Sequence, residues 1–136
     1  MEFKLLESKV KEMSFTSIVS KNQNKKFDLD YRTIYSKTDK YKFCVELSIV
    51  VYHEKFTFNC IYMTFFEADE PVTNEFKKSQ FPNINCPAIA FPFLRSFIAT
   101  ITLNAGYPPV MLPSINFIKL YQDKQNKLNS EKKKKK

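Results

Sequence analysis

Ile84-Asn85-Cys86-Pro87-Ala88-Ile89-Ala90-Phe91-Pro92-Phe93-Leu94-Arg95 governs how the rest of this 136-residue chain is read. Cys86-Pro87 opens a helix, with Pro87 in the first turn, where a missing N–H has no partner to lose. Pro92 fits less easily. Inside a helix it removes a hydrogen bond and crowds the preceding turn, so the helix proper is expected to start near it. From there the pattern stays helical to Leu103, and Gly106 supplies a stop. Phe91, Leu94, Ile98 and Ile101 share one side while Phe93, Phe97 and Leu103 lie elsewhere. A helix apolar nearly all round must be covered on more than one side, and in a chain this small the second cover is expected from another subunit.

Downstream, Tyr107-Pro108-Pro109-Val110-Met111-Leu112-Pro113 cannot be helical and is expected to run extended. Pro113 then opens a second helix through Ile115, Phe117, Ile118, Leu120 and Tyr121, which frays beyond Gln122 into a lysine tail. Residues 1–121 therefore form one expected domain and residues 122–136 a polar, disordered tail.

Upstream, the chain reads as strands. Phe27, Leu29 and Tyr31 alternate with Asp28, Asp30 and Arg32, and Tyr41, Phe43, Val45, Leu47, Ile49 and Val51 form a longer series of the same period. The next run, Phe56 to Phe66, follows after His53, Glu54 and Lys55, which predicts an antiparallel hairpin although no Asn-Gly or Asp-Gly marks the turn. Both faces of that run are partly apolar. Val10 to Val19 is a candidate first strand with poor alternation, and Glu67 to Asn85 a polar connection with one short element. Strands followed by helices predict an α+β domain, with the helices on one face of an antiparallel sheet.

Composition narrows the function. The chain holds 14 Phe and 7 Tyr but no Trp, and Gly106 is its single glycine. So many rings in one small domain imply shared burial or rings kept for a ligand. The formal charge is +8, and removing Lys132 to Lys136 leaves +3, a weak footprint for nucleic acid. Cys44, Cys60 and Cys86 are odd in number and lack CxxC spacing, which fits a reducing compartment rather than disulfides or zinc. The N-terminal Met1-Glu2-Phe3-Lys4-Leu5-Leu6-Glu7 is unlike a signal peptide. The most apolar window, Ala88 to Leu103, is too short and too interrupted to span a bilayer. A cytoplasmic location without membrane insertion is expected.

Catalytic chemistry finds no constellation. His53 is the only histidine and falls in a turn, Cys86 has no second histidine as its base, and Asp28 with Asp30 makes two carboxylates without a third ligand. One glycine excludes a glycine-rich phosphate loop. No catalytic residue, metal or cofactor is expected.

The segment quoted first, together with Gly106-Tyr107-Pro108-Pro109, Leu112-Pro113 and Ile115-Asn116-Phe117, resembles the C-terminal half of the SecB export chaperones. The shared elements are a Cys-Pro before a helix, Phe-Pro-aromatic-x-Arg within it, an aromatic-Pro, and Asn-Phe opening the last helix. Lys11-Glu12-Met13-Ser14-Phe15 and Phe27-Asp28-Leu29-Asp30 resemble the family's first two strands, so the likeness runs over roughly residues 10 to 121. It implies a four-stranded antiparallel sheet with two helices, assembled as a dimer of dimers through the longer helix, with Cys60, Thr64, Phe97, Ile98 and Ile101 at the subunit contact. It implies a holdase for unfolded preproteins whose groove uses Phe27, Leu29, Phe58, Tyr62, Phe93, Tyr107, Val110 and Leu112. It implies docking of the SecA motor on the outer sheet face at Glu12, Asn59 and Ile61.

The chain departs from the family pattern in two respects. Thr16, Asn59 and Ile61 stand at docking positions, and lysines replace an acidic tail, so a basic surface would meet SecA's basic tail. Hand-off to SecA is thereby disfavoured, and a SecB-like chaperone dedicated to one partner, such as an antitoxin, is a second version of the activity. A basic nucleic-acid module using Lys21, Lys25, Lys26 and the tail is the alternative from another class.

Overall fold

Period-two alternation from Phe27 to Phe66 demands a sheet, and the computed structural model, which describes residues 2–17 and 25–134, contains one with four strands. Val19, Lys21, Lys135 and Lys136, each named above, lie outside the described residues. The chain divides into two units, Met1–Lys77 and Lys78–Lys136.

The first unit holds β1 (Phe3–Thr16), β2 (Phe27–Tyr35), β3 (Lys42–Tyr52) and β4 (Thr57–Ala68), then all but the last residue of the short α1 (Asn74–Lys78). The strand order is β1-β4-β3-β2, with every pair antiparallel. β1 begins well before the expected Val10. Two register shifts, between Leu5 and Glu7 and between Val10 and Glu12, explain its poor alternation. Each bulge adds a residue and flips the side-chain phase, so period two survives only in pieces. The β3–β4 hairpin closes with the His53 N–H donating to the Phe56 carbonyl at 3.0 Å. No residue other than glycine has positive φ among the described residues, so the turn needs no Asn-Gly.

Register sorts the sheet into two faces. Tyr35, Phe43, Phe66 and Leu5 oppose one another across all four strands, as do Phe27, Val51, Phe58 and Phe15. Phe43, Val45, Leu47, Ile49, Val51, Phe58, Cys60, Thr64 and Phe66 are buried on this side. The Phe43 ring stacks on Phe66 at 5.4 Å and takes the edge of Phe76 from α1 at 5.5 Å. Thr73 caps α1, its hydroxyl accepting the Phe76 N–H at 3.1 Å. The opposite face is mixed and half-open, with Ile34, Val50, Ile61, Met63 and Phe65 set among polar residues. Its centre is the buried Glu46, which holds Arg32 of β2 at 3.0 Å and Lys11 of β1 at 3.4 Å, so one carboxylate ties both edge strands to the middle of the sheet.

The second unit is helical. A π-helical turn, Phe81–Asn85, runs directly into α2 (Cys86–Asn104), and α3 (Phe117–Lys134) follows a 12-residue connection, 105–116. Three expectations are corrected here. The helix opens at Cys86, as Cys86-Pro87 implied, but Pro92 lies inside it rather than at its proper start; the carbonyl that Pro92 deprives of a donor is that of Ala88, an exposed residue. Helical continuity from Phe81 to Asn104 gives 24 residues, long and apolar enough to cross a membrane by length and composition, which the shorter window was not. Arg95 at mid-length and the buried Ala90, Phe91, Leu94, Ile98 and Thr102 give that helix a core-facing side. Finally, α3 starts at Phe117 rather than Pro113 and stays helical to Lys134 rather than fraying at Gln122. Asn116 caps it, its side-chain oxygen accepting the Lys119 N–H at 3.1 Å, and Lys132, Lys133 and Lys134 in the last turn suit the helix dipole.

All three thiols are buried, and burial raises Cys44 and Cys60 to about 11 and Cys86 to about 12. The nucleophilic thiolate is therefore scarce at neutral pH, Cys86 included, despite its place at a helix start. The native protein should resist iodoacetamide at pH 8, whereas the guanidinium-unfolded chain should take up three equivalents in the mass spectrum; rapid native labelling would contradict this packing.

Candidate functional site

Each unit brings together part of the residue set expected from the sequence. In the sheet, Phe27, Leu29, Phe58 and Tyr62 share the apolar face with Cys60 and Thr64. Phe58, Cys60, Thr64 and Tyr62 are already buried within one chain, while Phe27 and Leu29 remain half-exposed. Phe58, Cys60 and Thr64 thus have little surface left for a guest or a second subunit.

In the helical unit, Gly106 ends α2 with φ of 102°, a value that only glycine adopts without strain. Around it the Tyr107 N–H donates to the Thr102 carbonyl and the Gly106 N–H to that of Leu103, both at 3.1 Å, the pairing of a Schellman cap. Thr102 does a second task. Its buried hydroxyl donates to the Ile98 carbonyl at 2.8 Å and accepts the Val110 N–H at 2.9 Å, which fastens the proline-rich connection to the helix. That bond sets where Tyr107 and Val110, both half-exposed, and Leu112, which is buried, project. Sequence reasoning missed Thr102; a hydroxyl on the buried side of an otherwise apolar helix was the available signal.

α2 itself shows two sides. Phe91, Leu94 and Ile98 are buried, with Phe91 edge-on to Phe117 of α3 at 5.8 Å. Ile89, Phe93 and Leu103 stand 40%, 48% and 57% exposed, and the positions between them on that side, Pro92, Ser96 and Thr100, carry no charge. Phe97 and Ile101 are intermediate. Arg95 is half-buried, and its Nε is a buried donor without an acceptor among the described residues.

The half-open sheet face holds an open groove of about 580 Å³. Register explains its composition. Asp30, Ser48, Ile61 and Glu12 form one row across the four strands, and Asp28, Val50, Asn59 and Ser14 form the next. Glu12, Asn59 and Ile61 are thereby brought together. Asp28 and Asp30, read from sequence only as a weak pair, line the same groove from β2, about 14 Å across three inter-strand spacings from β1. Among the described residues no three of His, Cys, Asp or Glu gather as metal ligands.

Asp28 accepts the Tyr52 hydroxyl at 2.9 Å and pairs with Lys25 at 3.2 Å, and these bonds, the tyrosine first, hold its carboxyl below the usual range. A depressed carboxyl stabilises the fold above the ordinary carboxylate range and loses that effect as pH falls through its lowered value. Asp28→Asn should therefore lower folding stability at pH 7 by roughly a few tenths of a kcal/mol, as for exposed pairs, seen as a small fall in melting temperature, and make no difference at strongly acidic pH. A deficit that persists in acid would refute the assignment. His53 lies in the β3–β4 turn, its Nδ1 accepting the Lys55 N–H at 3.1 Å and its ring stacked on Phe56 at 4.3 Å.

Comparison with known proteins places this geometry. The family model described as preprotein translocase subunit SecB matches residues 1–128. A protein-export protein SecB of Ruegeria pomeroyi is 29% identical over 136 aligned residues, covering 90% of this chain and 81% of that protein. An uncharacterized protein of Methanocaldococcus jannaschii is 38% identical over 95 residues, but the match spans 65% of this chain and only 60% of the relative. A SecB of Afipia carboxidovorans is 45% identical over 42 residues, about a quarter of its length (26%). Among solved structures, a SecB-like chaperone of Mycobacterium tuberculosis, in complex with a peptide from the HigA1 antitoxin, superposes with a TM-score of 0.65 at 11% identity, covering 83% of this chain and 87% of that one. A Streptococcus agalactiae protein of unknown function follows at 0.63 and 14%, covering 83% and 98%.

Proposed function

This chain belongs to the SecB family of chaperones, and on that footing we propose that it is a cytoplasmic holdase, which captures unfolded or non-native polypeptides, keeps them competent for export and catalyses no reaction. The observation that carries the proposal is the uncharged, exposed side of α2, where Ile89, Phe93 and Leu103 offer apolar surface that a single chain leaves uncovered. Guests without a fixed shape need broad apolar contact rather than a tailored pocket. Phe93, Tyr107 and Val110 offer it in the helical unit, and Phe27 and Leu29 in the sheet unit; Phe58, Tyr62 and Leu112 are buried within the single chain.

A second copy joins along the flank of α2 bordered by the half-exposed Phe97 and Ile101, which leaves the Ile89, Phe93 and Leu103 side for the guest and gives a dimer of dimers. The buried Arg95 Nε is consistent with an acceptor supplied by another chain, since buried donors are seldom left unpaired. On the half-open sheet face, Asp28 and Asp30 line the same groove as Glu12 from the opposite edge strand, and this groove suits a basic segment; the lysine-rich C-terminal end still disfavours hand-off to SecA.

The test is light scattering. A chemically denatured client diluted into buffer should aggregate less when a stoichiometric amount of this protein is present, with weak dependence on salt. Unchanged aggregation would remove the proposal. A chaperone dedicated to an antitoxin performs the same act on one guest, and the Mycobacterium tuberculosis complex motivates that second version. Protection of one partner with no effect on unrelated clients would select it.

A further inference from the structure

The division of charge between the two units is more extreme than the overall +8 suggests. Residues 1–77 carry twelve cationic and twelve anionic side chains, while residues 78–136 carry ten and two. The whole excess therefore belongs to the helical unit, and half of it to one element. α3 presents Lys119, Lys124, Lys127, Lys132, Lys133 and Lys134 against Asp123 and Glu131, and Lys135 and Lys136 follow in the sequence. Every one of these in the described helix is exposed except Lys124, which is intermediate. Because α3 is helical to Lys134, the charges sit on an ordered arm rather than a loose tail.

We infer that this arm selects guests: the protein takes acidic non-native polypeptides in preference to basic ones. The inference rests on the holdase reading and names the substrate class of the same site. Apolar surface and positive charge occur together in the helical unit. Met111 in the connection is 63% exposed, Ile118 in the first turn of α3 is 55% exposed, and the lysines extend from there along the helix. A guest with apolar residues flanked by Asp or Glu satisfies both features, whereas a lysine-rich guest meets like charge. The chemistry also argues for polypeptide over nucleic acid. α3 contains no arginine, so it lacks the planar fork that reads phosphates. Its two rings, Phe117 and Tyr121, lie in its first turns and are buried and half-buried, leaving no stacking platform on the basic half. Lysine ammonium groups attract diffusely, which suits a partner without fixed geometry.

The experiment uses the full chain and two fluorescein-labelled peptides with one apolar sequence, one interspersed with four glutamates and the other with four lysines. Fluorescence anisotropy at low salt should show the glutamate peptide binding about tenfold more tightly. The ratio should fall towards one near half-molar salt, where screening is nearly complete. A variant with Lys124, Lys127, Lys132, Lys133 and Lys134 all changed to Gln should lose the preference at low salt. Equal binding of the two peptides by a parent that suppresses aggregation would overturn the inference and leave the holdase reading standing. Binding of neither peptide, with no suppression, would remove both. A preference that survives in the glutamine variant, or tighter binding of an oligouridylate than of the acidic peptide at the same salt, would likewise overturn it.

Discussion

Phe43→Ala should cost about 4 kcal/mol of folding stability, the range for truncating a buried phenylalanine. The residue stands where three other rings of the sheet unit converge. It opposes Phe66 on one side and Tyr35 on the other, stacks on Phe66 at 5.4 Å, lies 6.1 Å from the Tyr35 ring and takes the edge of Phe76 at 5.5 Å. Removing it opens a cavity that three rings, each fixed to a strand or to α1, cannot collapse to fill. Domains of this size hold roughly 5–15 kcal/mol in total, so the loss should be visible as a large fall in the guanidinium midpoint. Phe65→Ala supplies the comparison. Phe65 neighbours Phe66 in sequence but projects onto the half-open face, so its loss should cost half as much or less. Equal losses would mean that the dry and wet faces have been assigned wrongly.

That contrast also marks what the amino-acid order makes legible. The series in β2 and β3 declares both a strand and its buried side, because side-chain phase is preserved from end to end, whereas β4, partly apolar on both faces, declares the strand but not its side. β1 hides the same information behind its two bulges, which is why Phe3 to Val10 carried no readable signal. Pro92 suggested a helix start because propensity weighs only the lost bond. Whether that loss matters depends on Ala88 facing water, a tertiary fact. The motif surrounding Pro92 was readable as a family likeness where its local energetics were not. α3 was underestimated for a related reason: a polar run of Lys, Gln and Asn looks like tail, yet Asn116 caps it and its lysines favour the C-terminal end. The groove on the half-open face depended on register. Glu12 and Asp30 are 18 positions apart, and only the pairing of four strands sets them in one row. Charge segregation was partly masked because the net figure combines a neutral unit with a strongly basic one.

Phe93→Asp should abolish most of the holdase activity while leaving the fold intact, raising the amount of protein needed for half-suppression of aggregation about tenfold or more. At 48% exposure the ring adds little to the stability of a single chain, so its removal should leave the circular dichroism spectrum and the melting temperature nearly unchanged. A carboxylate at the centre of an otherwise uncharged surface, by contrast, must be desolvated by any apolar guest laid over it, a cost of several kcal/mol. Phe93→Leu keeps an apolar side chain of similar size and should retain most of the suppression. Tyr62→Asp is a poor companion, because Tyr62 is buried and a charge there would test folding instead of capture. Size-exclusion chromatography separates two ways in which Phe93→Asp can act. A variant that keeps the parent's oligomeric size but releases clients has lost guest contact, whereas one that elutes as a smaller species has lost the joint between copies. A variant that suppresses aggregation as well as the parent does would show that this side of α2 serves neither purpose, and guest capture would then have to be sought on the sheet.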